Sequence, residues 1–147
     1  MLLKINERLA FGDEETPEQL KALAQQGYKT LIDLCTVKEG KQISDESARK
    51  AGLEVHQVPV DVDALNNDLV RKFIQTLEQS EAPVYTRCAS GKRAGLMVLL
   101  ALATQQHWTE QEFFKQVEAA GFDCSTAPAL AQFAHDYIRQ LQQQEAT

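Results

Sequence analysis

The 147-residue sequence is short of the residues that staple, kink or anchor a chain: it has three cysteines, four prolines and one tryptophan. Cys35, Cys88 and Cys124 form no CxxC pair and have no metal-ligand spacing to the three histidines. That pattern excludes a zinc ribbon or finger, and an odd, widely spaced set fits free thiols in a reducing compartment better than a disulfide framework. No metal is expected. The apolar run Leu96–Ala103 falls well short of the ~20 residues that a spanning helix needs. The opening MLLKINERLAFGDEE lacks the apolar core of a secretory signal, so a cytoplasmic protein is expected. An excess of basic charge is also missing. Lys and Arg number 15 against 21 Asp and Glu, a net charge of -6, which argues against nucleic acid or an anionic membrane as a general partner.

What is present is an ordinary globular composition, 44% hydrophobic, in a length that fits one domain over residues 1–147. LLKINERLAF reads as an edge strand. A helix follows with Thr16 as N-cap and Pro17 at its first position, closed by Gly27. YKTLIDLC is a continuous apolar strand, the kind usually covered on both faces in a parallel sheet. A short polar helix over Ser44 to Ala51 leads to the strand LEVHQVPV, whose regular pairing Pro59 ends. The loop DVDALNND precedes an amphipathic helix over about 68–80. PVYTR, residues 83–87, is the next strand, and a nearly all-apolar helix runs from about Arg93 to Gln106. Two helices close the chain, one opened by a capping box at Thr109 and Glu112, the other over about 127–143. Strands alternating with helices, then helices alone, predict an α/β domain with a small, mainly parallel sheet and an all-helical C-terminal end.

The chemistry concentrates at VYTRCASGKRAGLMVLLALA, residues 84–103. Cys88 follows a strand directly and precedes a helix N-terminus, the position where parallel sheets bind ligands. Gly91 permits a turn whose backbone N–H groups converge on an anion, and the helix dipole adds positive potential there. Together with Arg87, Lys92 and Arg93, these effects favour thiolate over thiol at Cys88. The corner thus offers a reactive sulfur, an oxyanion cradle over Ala89, Ser90, Gly91 and Lys92, and in Arg93 a planar fork for two oxygens. The bland alternative is a small buried cysteine at a strand end. The remaining histidines read as structural, with His135 and Asp136 on a solvated helix face, and Cys124 likewise as structural.

The loop CASGKRAG resembles the signature of cysteine-dependent phosphatases, in which a cysteine and an arginine bracket a glycine-containing phosphate loop. Through GYKTLIDL, AGLEVHQVPV, that loop and VEAAGFD, most of the chain resembles the bacterial phosphatase-like family DUF442, the phosphatase-like domain of the beta-lactamase-hydrolase-like proteins. Three departures stand out. Four residues separate Cys88 from Arg93, where dual-specificity and tyrosine phosphatases have five and rhodanese-type sulfurtransferases have four. Arg87 precedes the cysteine where a histidine is common, and Ala94 replaces the hydroxyl residue after the arginine. A rhodanese would add a strand after the buried helix, whereas this chain adds two helices.

The resemblance implies a dual-specificity-like phosphatase fold and a Cys88 thiophosphate intermediate, with Arg93 binding the phosphate. It also implies an aspartate as general acid on the loop after the third strand. Asp61 and Asp63 flank that place, with Asp63 favoured. In a lipid-phosphatase branch the stretch resembling LIDLC supplies a reversible disulfide, which makes Cys35 a possible redox partner of Cys88. The substrate implied is a phosphorylated small molecule or a phosphoprotein, and no cofactor is required. Two alternatives stay open: persulfide transfer through Cys88 in a rhodanese-length loop, and an anion-binding domain without turnover.

Overall fold

The computed structural model describes residues 2–121 and 127–145. Five strands form one sheet in the order β1-β2-β5-β3-β4: β1 Leu2–Lys4, β2 Leu9–Gly12, β3 Thr30–Asp33, β4 Glu54–Gln57 and β5 Val84–Arg87. The pairs β2–β5, β5–β3 and β3–β4 are parallel, and β1 alone runs antiparallel to β2. LLKINERLAF is therefore two strands rather than one. Asn6 makes the turn between them, its Oδ1 accepting the N–H groups of Arg8 and Leu9 at 2.8 and 3.0 Å, the local bond that suits Asn to turns. Of these two, β1 is the edge strand and β2 lies inside the sheet.

The described residues form six α-helices around the sheet and on one another: α1 Pro17–Gln25, α2 Asp45–Ala51, α3 Asn67–Gln79, α4 Lys92–Gln106, α5 Glu110–Ala119 and α6 Pro128–Glu145. Their starts follow from side-chain caps. Thr16, Ser44, Asn66 and Thr109 each accept a backbone N–H from the first turn, satisfying donors that the helix cannot. At Thr109 the capping box is only half made. Thr109 Oγ1 takes the Glu112 N–H at 3.1 Å, while the Glu112 carboxylate accepts Gln116 Nε2 at 2.9 Å instead of reaching back.

The regular ladder of β4 stops at Gln57, ahead of Pro59 as the sequence predicts. Val58 and Val60 N–H donate to the carbonyls of Asp33 and Leu34, both at 2.9 Å. A regular parallel ladder steps two residues on both strands, so the single step from Asp33 to Leu34 marks a slip in register at Pro59. Alternation along β5 then sorts the interior into two halves. Val84 and Cys88 face the cluster built on α4, whereas Tyr85 faces the one with Leu20, Leu23 and Leu53 on the α1 and α2 side. Helix α4 is buried from Ala94 to Ala103 and packs against β2, α3, α5 and α6. Gly95 makes that approach possible, since a Cβ there would stand 2.7 Å from Cε2 of Phe11. The N-terminus of α4 is thereby pressed onto the carboxyl ends of β2 and β5.

Candidate active site

Cys88 sits one residue beyond β5, fully buried, with its N–H donating to the Gly12 carbonyl at 3.2 Å. The chain then turns through Ala89 and Ser90 to Gly91, the N-cap of α4, whose φ of 84° lies in the left-handed region. Glycine adopts that region at little cost. The turn folds back on the sulfur: Gly91 N–H points at Cys88 Sγ from 3.1 Å and Ala94 N–H from 3.4 Å. A nucleophilic atom thus meets two backbone donors at a helix N-terminus, the arrangement that holds anions. Ser90 is exposed and accepts the Lys92 N–H at 3.4 Å.

Arg93, on the first turn of α4, reaches across the ends of β3 and β4. Its Nη1 donates to Glu39 Oε1 at 2.6 Å and to the Val60 carbonyl at 2.9 Å, with Leu34 O at 3.5 Å; Nη2 donates to Glu39 Oε2 at 2.7 Å. The bidentate pair holds the Glu39 carboxyl down at about 2, chiefly through the hydrogen bonds from Arg93, and raises the guanidinium in turn. Glu39 occupies one edge of the guanidinium. The other edge, Nε–H and the second Nη2 hydrogen, has no acceptor among the described residues and retains the fork geometry that fits two phosphate oxygens.

Glu39 is the member of this cluster that sequence reasoning missed. It ends a short 3-10 turn, Val37–Glu39, just past β3, and also accepts the Thr36 N–H at 2.9 Å. The legible signal was the capping pattern Thr36-x-x-Glu39 at the carboxyl end of a parallel strand.

Arg87 corrects an expectation. It does not face the thiol. Strand alternation turns it to the opposite face, where its Nη1 donates at 2.9 Å both to Asp33 Oδ1 and to the Lys41 carbonyl, and Nε to the Glu14 carbonyl, also at 2.9 Å. Asp33 completes the knot by accepting the N–H groups of Cys35 and Ile43 at 3.1 and 2.7 Å. This is a brace under the site.

Asp61 and Asp63 lie on a second 3-10 turn, Val62–Ala64, and both are exposed. Asp61 Oδ1 caps that turn by accepting the Asp63 N–H at 2.9 Å, while the Asp63 carboxylate has no donor among the described residues. The turn is brought to the site by the bond between Val60 O and Arg93. Cys35, at the end of β3, is buried and free like Cys88, and burial pushes its thiol up to about 11. His135 does not sit on a merely solvated face: its Nδ1 pairs with Glu110 and its Nε2 meets Arg139, linking α5 to α6. Cys124 lies outside the described residues. Among those residues no group of His, Cys, Asp and Glu is arranged to hold a metal, and no helix is long and apolar enough to cross a membrane.

Similar folds occur among solved phosphatase-like structures. TpbA of P. aeruginosa is 18% identical, with a TM-score of 0.80 over 99% of this chain and 91% of that one. A DUF442 protein of Shewanella putrefaciens is 19% identical with a TM-score of 0.76, over 95% and 89%. A phosphatase candidate of Neisseria meningitidis is 25% identical with a TM-score of 0.72, over 89% and 94%. In sequence, the Beta-lactamase hydrolase-like protein of Xylella fastidiosa is 28% identical over 131 residues, which is 86% of this chain but 30% of that protein. The chain therefore spans about three tenths of the length of this curated relative. A family model described as DSP-PTPase phosphatase fused to NAD+ kinase matches residues 4–136. That span runs from the end of β1 through the Cys88 turn and into α6, and the chain belongs to the DSP-PTPase phosphatase family it describes.

Proposed function

We propose that the domain hydrolyses a phosphomonoester through a thiophosphate on Cys88. The observation that carries this is the convergence of Gly91 and Ala94 N–H groups on Cys88 Sγ, at 3.1 and 3.4 Å, beside a clamped arginine. The Cys88 thiolate attacks phosphorus in line, the P–O bond to the leaving group breaks, and a protonated Asp63 supplies the proton that releases an alcohol. Water then attacks the thiophosphate while the Asp63 carboxylate takes its proton, which frees phosphate and restores the thiolate. Backbone N–H groups from Ala89 to Arg93 and the open edge of Arg93 stabilise the equatorial oxygens through both steps. Asp63 is preferred to Asp61 because Asp61 already caps its own turn.

TpbA has been crystallised with phosphotyrosine, which supports including phosphotyrosine proteins among the substrates to test. The family's description couples such a domain to an NAD+ kinase, whose product carries a phosphomonoester, so nucleotide phosphates belong in the same panel. Turnover of a generic aryl phosphate between about pH 5 and 7, near the range in which a carboxylic acid and a thiolate coexist, is expected to vanish in Cys88→Ser. Arg93→Lys should lower it by about a hundredfold or more through loss of the fork. Turnover that survives Cys88→Ser would end the proposal. The four-residue spacing also fits a persulfide carrier, and sulfur transfer that tolerates loss of both Asp61 and Asp63 would favour that chemistry.

Within this reading Cys35 is the resolving thiol. Peroxide oxidises Cys88 to a sulfenic acid, and Cys35 displaces water from it to leave a disulfide. The raised Cys35 thiol makes this slow at neutral pH and faster in base. Peptide mapping after mild peroxide that finds Cys88 only as sulfenic or sulfinic acid would remove Cys35 from the scheme.

A further inference from the structure

Among the described residues one buried side-chain polar atom has no hydrogen-bond partner, the hydroxyl oxygen Oγ1 of Thr86. Thr86 is the third residue of β5 and is 1% exposed. An unpartnered buried hydroxyl costs stability, and valine has the same shape without that cost. The surroundings show why it goes unserved. Alternation along β5 puts Thr86 on the α4 side, between Val84 and Cys88 on that face. The ladder runs on far enough to carry Cys88 there, since Arg87 O accepts from Leu34 and Cys88 N–H donates to Gly12. Beside Thr86 stand its register partners, Phe11 on β2 and Ile32 on β3, both in the same apolar cluster. The stretch of α4 that covers this face, Ala94–Ala103, has no hydroxyl, amide or charged side chain. Along its own strand and face, the nearest side-chain heteroatom is the Cys88 sulfur, two residues and about 6.6 Å of strand away.

We propose that Thr86 is a positioning residue for Cys88, its hydroxyl donating to the sulfur from the core side once the thiol has ionised. The proposal rests on the reading of Cys88 as a reactive thiolate and is independent of what that thiolate attacks. A neutral thiol is a weak acceptor and leaves the hydroxyl idle, whereas a thiolate is a charged one. One staggered step of the Thr86 χ1 angle turns the hydroxyl along the strand toward it. The donors already aimed at the sulfur, the N–H groups of Gly91 and Ala94, come from the turn and from the first turn of α4. Those same groups form the anion cradle, so a bound oxyanion competes with the sulfur for them. Thr86 lies on the other side, in the core, where a ligand does not compete. Its hydrogen bond therefore persists while the cradle is occupied, holding the thiolate ionised and fixed in direction.

The test compares the full chain with its Thr86→Val and Thr86→Ser variants. The Cys88 thiolate is followed by its ultraviolet absorbance as pH is raised, and the matching Cys88→Ser protein is subtracted to remove the other thiols and the tyrosines. Thr86→Val is expected to move this titration up by about one to two pH units, the worth of a hydrogen bond to a charged group. Thr86→Ser keeps the donor and is expected to leave the titration in place. The ionisable groups gathered around the sulfur, Arg93 with Glu39, Lys92 and the Cys35 thiol, are the same in all three proteins. In a Cys88→Ala background, where no thiolate forms, Thr86→Val is expected to hold or raise the thermal midpoint, because the hydroxyl it removes has no partner. An unmoved titration in Thr86→Val overturns the proposal and leaves the phosphatase reading standing. An equal shift in Thr86→Ser overturns it as well, since the serine still offers the hydroxyl. So does a lower midpoint in the Cys88→Ala background, which would give the hydroxyl a structural partner. Aryl phosphate turnover is measured separately, and its absence from the parent would end the phosphatase reading alone.

Discussion

At Arg93 Nη1 two unlike acceptors meet, a carboxylate from one turn and a main-chain carbonyl from another. In the proposed mechanism an arginine free to move would lose side-chain entropy at each phosphate capture; Glu39 already holds Arg93 in one geometry. The clamp has a pH signature. Because the Glu39 carboxyl is depressed to about 2 in the folded chain, its contribution to stability is fully present above the ordinary carboxyl value of about 4.3 and is lost as pH falls through about 2. Glu39→Gln should therefore lower the thermal midpoint near neutrality, and the gap from the parent should close between about pH 4.3 and 2. A gap that stays constant across that window would show that the ionised pair contributes nothing. On turnover, loosening the guanidinium should cost up to about a hundredfold in kcat/KM, with the alkaline side of the profile unmoved.

At the scale of elements, what was legible was what the chain encodes locally. Thr16 with Pro17 and Thr109 mark helix starts because a cap needs only neighbouring residues, and both cap, Thr109 without the return bond of a full capping box; Ser44, read as the first residue of its helix, is the cap before it. Cys88, Gly91 and the apolar run of α4 were readable for the same reason, being contiguous. Reading failed where two strands share one apolar stretch. LLKINERLAF carries hydrophobic residues at both ends, and only the two bonds accepted by Asn6 reveal the reversal between them. Partners distant in sequence also escaped. Arg93 lies 54 residues from Glu39, and no local pattern records which carboxylate a guanidinium will find. Arg87 was misread because adjacency along a strand is opposition across a sheet: the residue next to Cys88 necessarily faces the other side.

Over the whole molecule, that opposite side is where the site is braced. Arg87 and Asp33 are both fully buried, and between them they bind Glu14 O, Lys41 O and the N–H groups of Cys35 and Ile43. The connections that leave β2 and β3 are thus tied at one point beneath the Cys88 turn. A simple buried ion pair can often be exchanged for apolar residues with little change in stability, while removing one partner is costly. This pair is different, because each member also satisfies main-chain groups that no apolar side chain could serve. Arg87→Met should cost about 3–5 kcal/mol in urea unfolding, since it strands the Asp33 carboxylate. Adding Asp33→Leu should not restore the parent, because the Cys35 and Ile43 N–H groups then lose their acceptor, at about 1–3 kcal/mol each. A double variant as stable as the parent would reduce the pair to an ordinary ion pair. Failure to recover would show that the sheet's far face fixes the loops from which Glu39 and the Cys88 turn are presented.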